Sequence, residues 1–296
     1  MDILDGVGNT PLIKLKRSSP KAGVDFWAKL ELANPTGSLK DRIALYMIDE
    51  AEKRGELRPG MTIIEATSGN TGISLGMVAA VKGYKLKLFM LENKTIERRK
   101  MLRYWGADLV LTTKDDPDSH IYAAKELLAA EPDRYYYIDQ NENEDNVWAH
   151  YHGTGREIVE QLDGKVDCAV AGFGTGGCLM GIARYLKDNG IGARIVAVEP
   201  VGPQGGIDGL KHESEAYQPP IYDRGLIDET ICVSGEDALR FTKEIATSEG
   251  VIAGISSGAV LCAARRVAAG MDGGNVVIIF GDRGERYFST ALFDLE

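Results

Sequence analysis

A single lysine stands in the segment Asn34-Pro35-Thr36-Gly37-Ser38-Leu39-Lys40-Asp41-Arg42, at a turn directly ahead of a long amphipathic run. An ε-ammonium held there beside backbone amides and partly out of water loses some of its preference for the charged form, which suits nucleophile and base chemistry. Lysines are mostly exposed, so taken alone Lys40 reads more readily as a solvated charge on a capped helix start. Further loops alter that balance. Thr67-Ser68-Gly69-Asn70-Thr71-Gly72 lies between a strand pattern and a helix pattern and offers backbone amides, a helix N-terminus and short hydroxyl and amide donors, a combination that suits a carboxylate or a phosphate. Gly172-Phe173-Gly174-Thr175-Gly176-Gly177 contains GxGxxG in the same strand–helix setting. That motif fits either a dinucleotide or a simple phosphate cradle, and Glu199, at the end of the next strand, stands where a ribose-binding acid would. Gly254-Ile255-Ser256-Ser257-Gly258 places hydroxyls at another helix start, which by itself is ordinary capping.

Together these residues make up one amine, two anion cradles and a neutral hydroxyl. A nicotinamide dehydrogenase has no use for the pairing of lysine and anion site, whereas a pyridoxal phosphate enzyme uses every part of it.

The elements that must position these loops follow from hydrophobic periodicity. Strands are expected over 26–32, 62–66, 85–90, 108–111, 135–138, 167–171, 194–198 and 276–280. Helices are expected over 38–54, from the Thr67–Gly72 loop to about 81, and over 95–104, 119–130, 154–162, to about 187, 234–248 and 256–269. The stretch 201–226 carries no clear pattern. Alternating strands and helices predict an α/β architecture with mainly parallel sheets. A length of 296 residues suits two domains or one large unit.

Composition narrows the partners. A net charge of −10 argues against nucleic acid and against an anionic membrane surface. No apolar run approaches the roughly 18 residues a membrane helix needs, and the acidic start Met1-Asp2-Ile3-Leu4-Asp5 lacks an export signature. Cys168, Cys178, Cys232 and Cys262 form no CxxC pair, so reduced thiols in a cytoplasmic protein are expected. His150 and His152 have no partner at metal-ligand spacing, and no metal site is expected.

The residues resemble those of the cysteine synthase family, the fold-type II pyridoxal phosphate enzymes that include O-acetylserine sulfhydrylase and cystathionine β-synthase. The likeness runs along nearly the whole chain, from Gly8-Asn9-Thr10-Pro11-Leu12 through the Lys40 segment and Thr67–Gly72 to Gly284-Glu285-Arg286-Tyr287-Phe288-Ser289-Thr290. It is nearest the B-type branch, because Asp282-Arg283-Gly284 stands where the A-type has Ser-Ser-Gly. The resemblance implies a tryptophan synthase β-like fold of two three-layer domains. Residues 1–40 and 146–296 would form a large cofactor-binding domain, and residues 41–145 a small mobile substrate-binding one.

It also implies roles. Lys40 would bind the cofactor as an imine and later move the Cα proton. Asn70 would bond the cofactor's ring oxygen, and Gly174, Thr175, Gly176, Gly177 and Cys178 would cradle its phosphate. Ser256 would face the pyridine nitrogen, leaving it largely unprotonated. Thr67, Ser68, Gly69, Thr71 and Gln140 would bind the substrate carboxylate. The implied activity is replacement of the β-substituent of O-acetyl-L-serine by sulfide through an aminoacrylate, giving L-cysteine. O-phosphoserine sulfhydrylase and a cystathionine β-synthase-like or cysteine-consuming lyase are the alternatives. A small amino acid and a sulfur donor are the expected ligands, a homodimer the expected assembly, and serine acetyltransferase a possible partner.

Three departures stand out. Cys178 replaces the usual threonine of the phosphate loop, Gln140 is followed by the acidic tract Asn141-Glu142-Asn143-Glu144-Asp145-Asn146, and Gly209-Leu210 leads into Lys211-His212-Glu213. Lys211 and His212 either face the leaving group, where a cation would favour phosphate over acetate, or point to solvent.

Overall fold

The computed structural model describes residues 2–67, 69–92, 96–116, 118–202, 206–214 and 218–293. Among them the strands are β1 (Leu12–Leu15), β2 (Val24–Leu30), β3 (Thr62–Ala66), β4 (Lys85–Leu91), β5 (Asp108–Thr112), β6 (Tyr135–Tyr137), β7 (Cys168–Gly172), β8 (Arg194–Pro200), β9 (Glu229–Val233) and β10 (Gly274–Phe280). The α-helices are α1 (Lys40–Lys53), α2 (Asn70–Lys82), α3 (Ile96–Tyr104), α4 (Ser119–Ala130), α5 (Asp145–His150), α6 (Arg156–Gln161), α7 (Gly177–Asp188), α8 (Gly235–Glu244) and α9 (Ile255–Ala269). The chain divides into two compact units, one of Met1–Val7 with Lys40–Asn146 and the other of Gly8–Leu39 with Val147–Glu296.

In the Lys40–Asn146 unit the sheet order is β5-β4-β3-β6, and every pair is parallel. Ile64, Ala66 and Phe89 face α4 through Ala124. The opposite face meets α2, where Gly72 lies so close to Leu88 and Leu102 that a Cβ would come within 2.9 Å of Leu102. The order reverses at β3, which has β4 on one side and β6 on the other. Ligands of open parallel sheets bind just beyond the strand ends at such a reversal. The chain there leads into Thr67 after β3 and Gln140 after β6.

In the other unit the order is β1-β2-β10-β7-β8-β9, parallel except for the edge pair β1–β2. Both faces are buried. Val276, Ile278 and Phe280 pack in the cluster that holds α9, and Val277 and Ile279 in the one that holds α7. This two-sided burial explains why β10 reads as an unbroken apolar run rather than an alternation. The reversal here falls between β7 and β10, beside the Phe173–Gly177 loop.

The α/β architecture and parallel pairing agree with the sequence reading, while several element boundaries differ. β2 ends at Leu30, two residues before the expected end, because Glu31 turns to accept hydrogen bonds from the Thr10 hydroxyl at 2.8 Å and the Asn34 amide at 3.0 Å. Helix α1 begins at Lys40 rather than 38, since Ser38 bridges to Asp282 and the Leu39 N–H donates to the Gly281 carbonyl at 2.9 Å. Strands β1 and β9 were not expected; both are short edge strands with half-exposed faces, which blurs their pattern. The expected helix over 154–162 starts much earlier, at Asp145, and runs through a π-turn at Tyr151–Gly155. Gly155 is there for close packing rather than to break the helix, because a Cβ on it would lie 2.8 Å from Tyr185 Cβ. A second π-turn, Ile245–Glu249, extends α8. Thr95, the expected start of α3, lies outside the described residues. No helix among them is long and apolar enough to cross a membrane.

One buried polar network ties the Gly8–Pro11 loop down. The Lys29 side chain is fully buried, with Nζ 2.7 Å from Glu157 Oε2, and it donates to the Thr10 carbonyl at 2.7 Å and Gln161 Oε1 at 2.8 Å. Glu157 Oε1 accepts the Asn9 N–H at 2.9 Å. Removing one member leaves a charge in a dry interior, which costs far more than the pair contributes net. Glu157→Leu is expected to lower unfolding free energy by roughly 3–5 kcal/mol in urea titration, and Lys29→Met combined with it to recover a large part of that loss.

Candidate active site

One group of candidate residues lies in the Lys40–Asn146 unit. Helix α2 opens at Asn70 with no side-chain cap from Gly69, so its first-turn N–H groups face outward without intrahelical acceptors. Thr67, Gly69, Asn70 and Thr71 surround that opening, and Ser68 lies outside the described residues. The Thr71 hydroxyl donates to Gln140 Oε1 at 2.6 Å, which brings the glutamine side chain to the same helix end. Gln140 is further fixed through its backbone, whose carbonyl accepts from Asn146 Nδ2 at 2.7 Å. The residue before it, Asp139, has a φ of +48°, a strained conformation for a non-glycine residue. Its carbonyl accepts from the Glu142 and Asn143 N–H groups at 3.0 and 2.9 Å, which holds the turn. Lys40, half-buried, is the first residue of α1. Its neighbour Asp41 is buried and accepts the Ser74 hydroxyl at 2.5 Å, and Ser74 also donates to the Asn70 carbonyl at 3.0 Å, so the starts of α1 and α2 are linked.

Glu65 was not singled out in the sequence. It sits on β3 with 0% exposure, opposite the face that Ile64 and Ala66 give to α4, and its Oε1 lies 3.4 Å from Gln140 Nε2. Burial pushes its carboxyl well above the ordinary carboxylate range, and the charge of Asp139 adds to the rise. N–H groups of Asp139 and Gln140 work against it. A lone acid in the otherwise apolar Ile63-Ile64-Glu65-Ala66 run was the signal available.

A second group lies in the other unit. Helix α7 opens at Gly177, again without a side-chain cap, and Gly176 precedes it with a φ of +89°. A Cβ on Gly174 would stand 2.8 Å from the Gly209 carbonyl oxygen, and one on Gly176 would stand 2.9 Å from Tyr222 Cδ2. The loop therefore needs glycine at both places. Thr175 Oγ1 accepts a long bond from the Gly177 N–H at 3.4 Å, and Cys178 sits half-buried in the first turn. Tyr222 packs on Phe173 with ring centroids 4.3 Å apart, and burial pushes its phenol up to about 12. Ser256, half-buried in the first turn of α9, has its hydroxyl 3.9 Å from where a Gly281 Cβ would be, and the Leu39 side chain stands 3.1 Å from the same point. Leu39, Gly281 and Ser256 thus gather at the end of β10, and Lys40 is the next residue along the chain.

Glu199 departs from the ribose-binding reading. It is 1% exposed, and its Oε2 accepts the Glu213 N–H at 2.9 Å, so it anchors the 206–214 loop. His150 is buried with Nδ1 2.9 Å from the Thr154 hydroxyl.

Comparison with known proteins agrees with this geometry. Residues 3–282 match the family described as pyridoxal-phosphate dependent enzyme, and the chain belongs to that family. It is 44% identical to cysteine synthase B of Salmonella typhimurium over 98% of this chain and 95% of the relative. It is 43% identical to the cysteine synthase of Aquifex aeolicus, covering 98% of this chain and 91% of that one. Among solved structures, a cysteine synthase of Entamoeba histolytica superimposes with a TM-score of 0.94 at 36% identity, over 100% of this chain and 91% of the other. The dinucleotide alternative is thereby overturned.

The residues fit the family's cofactor. A helix start behind a loop that admits no side chain at 174 or 176 lets backbone N–H donors approach an anion of phosphate size. Gly176→Ala would force a side chain into a left-handed conformation, at about 1–2 kcal/mol. Apoenzyme titrated with pyridoxal phosphate and followed by fluorescence should show affinity lowered roughly tenfold.

Proposed function

We propose that this chain is a cysteine synthase that replaces the acetoxy group of O-acetyl-L-serine by sulfide to give L-cysteine. The observation that carries the reading is the pairing, beyond β3 and β6, of the uncapped α2 start with the Gln140 carboxamide. That arrangement presents neutral donors to an amino-acid carboxylate, in a chain that resembles cysteine synthases over nearly its full length.

In this reading Gly174, Thr175, Gly176, Gly177 and Cys178 bind the cofactor's phosphate and Asn70 its ring oxygen. Cysteine is a weak donor, so Cys178 would contribute mainly its backbone N–H. Pyridoxal phosphate, when bound, draws electron density from the substrate's Cα and stabilises the charge that develops there. Thr67, Ser68, Gly69, Thr71 and Gln140 hold the substrate carboxylate, which fixes the amino acid so that its Cα–H faces Lys40. Lys40 Nζ takes that proton. The Cβ–O bond then breaks, acetate leaves, and sulfide forms the new Cβ–S bond. Ser256 offers a neutral hydroxyl to the ring nitrogen, which moderates the electron demand and favours loss of the β-substituent over transamination. The Lys40–Asn146 unit is the substrate-binding part, and its closure on the carboxylate keeps water away during the reaction.

A second substrate reading has one observation in its favour. The Lys211 N–H donates to the Phe173 carbonyl at 2.8 Å, which anchors the Lys211-His212 tract next to the phosphate loop. A cation there suits O-phosphoserine. The reading extends to a homodimer working in the cytoplasm, in keeping with four cysteines that form no disulfide, and to serine acetyltransferase as a partner.

A substrate panel tests the proposal. Turnover should be fastest with O-acetylserine plus sulfide; faster turnover with O-phosphoserine, or with serine plus homocysteine, would replace the reading by the corresponding alternative. Lys40→Ala should lower the rate of Cα-proton exchange by about 10²–10⁴-fold. Borohydride should fix the cofactor on Lys40 in the wild type only. Ser256→Asp should raise side products detectable by chromatography.

A further inference from the structure

Glu65 is unexplained by packing. Burying an acid in a strand is costly unless its oxygens are used; the Asp139 and Gln140 N–H groups favour its charged form, but Glu65 Oε2 has no hydrogen-bond partner among the described residues. A valine or isoleucine would extend the apolar run of β3 at lower cost. Where a residue breaks a local rule in this way, a functional reason is the first place to look.

The only side-chain hydrogen bond found for Glu65 among the described residues points to Gln140. A carboxamide has two distinguishable ends, and its terminal torsion is broad and roughly two-fold. One end is settled, since the Thr71 hydroxyl donates to Gln140 Oε1 at 2.6 Å. At the other end, Nε2 carries two hydrogens and reaches Glu65 Oε1 at 3.4 Å. The main chain is held by Asn146, by the strained turn at Asp139 and by the Asp139 and Gln140 N–H groups against Glu65 itself, so the amide's orientation is the remaining freedom. Were the amide to turn over, a carbonyl oxygen would face the bound anion, which repels it. A contact of 3.4 Å is long for a hydrogen bond, and such contacts tighten when ligand binds.

We propose that Glu65 is the positioning residue of the substrate-carboxylate site: it accepts one Gln140 N–H and so presents the other to the α-carboxylate of the amino-acid substrate. This rests on the reading of Gln140 as a carboxylate ligand. It adds an outer layer to that site, in which Thr71 and Glu65 clamp opposite ends of one amide. In this role the glutamate acts through Gln140 and the turn that carries it, not by direct contact with substrate or cofactor.

The test uses holoenzyme titrated with L-serine, which binds without a leaving group, followed by the change in visible absorbance, together with KM and kcat for O-acetylserine. Glu65→Leu removes the acceptor at similar bulk. It should weaken L-serine binding and raise KM roughly tenfold or more, as expected for a hydrogen-bonding arrangement to a charged group, while kcat at saturation falls much less. Glu65→Gln keeps an acceptor in place and should recover most of the loss, whereas Glu65→Asp draws the acceptor back and should fall between. L-serinamide, which lacks the carboxylate, should bind all four proteins alike. Equal L-serine affinity in wild type and Glu65→Leu would overturn the proposal, as would Glu65→Gln losing as much as Glu65→Leu, or parallel losses with L-serinamide. If Glu65→Leu does not fold, Glu65→Asp against Glu65→Gln decides in the same way. Wild-type turnover with O-acetylserine and sulfide, assayed alongside, isolates the other failure: its absence overturns the cysteine synthase reading, while L-serine binding still decides the role of Glu65.

Discussion

The constraint on which the rest of this structure depends is the set of unsatisfied N–H groups at the start of a helix. The first turn of any α-helix has donors with no intrahelical acceptor, and a protein usually caps them with its own side chains. Here α8 follows that habit, with Ser234 Oγ accepting from the Asp237 N–H at 3.1 Å, while α2 and α7 do not. Each of these two uncapped starts stands beside a reversal of strand order in its own sheet. The glycines, hydroxyls and carboxamide around them then fall into place as the means of keeping those helix starts reachable and correctly aimed.

What could be read from the sequence follows from the same constraint. A bare helix start demands small residues and short donors in a fixed order, so Thr67–Gly72 and Gly172–Gly177 announced themselves. Two-sided burial made β7, β8 and β10 legible as continuous apolar runs. Edge strands β1 and β9 escaped notice because most of their residues are only partly buried. The α5–α6 helix was cut short because its start merges with the polar run 141–146 and its middle is a π-turn, which breaks the helical period of about 3.6 residues. Gly155 in that turn allows α7 to approach. The acid at 199 was misread because position along a strand says nothing about whether a carboxylate is open or already engaged by a neighbouring amide. Glu65 was missed for a related reason, since the side chain that it pairs with among the described residues lies 75 positions away. Its burial could not be read from periodicity.

The non-glycine residues with left-handed backbone include Asn9 and Asp139, at φ of +46° and +48°. Each lies in a motif loop, one in Gly8-Asn9-Thr10 and the other directly before Gln140. Strain of this kind persists only where the surroundings over-determine it. The surroundings are visible in both cases: the Glu157–Lys29 pair grips the Asn9 N–H, and the carbonyls of Ile138 and Asp139 are bonded to Asn143. The buried Lys29–Glu157 ion pair thus serves loop geometry rather than net stability.

The bond from the Leu39 amide to the Gly281 carbonyl places the residue before Lys40 in continuity with the end of β10, one of the two central strands of its sheet. Such an amide gives up its proton to solvent only when that strand itself opens. The stretch leading into the lysine therefore belongs, in its solvent-exchange lifetime, with the most protected interior of the molecule, although a glycine turn two residues earlier gives it the look of a loop. Isotope exchange would register it as part of the last region to open.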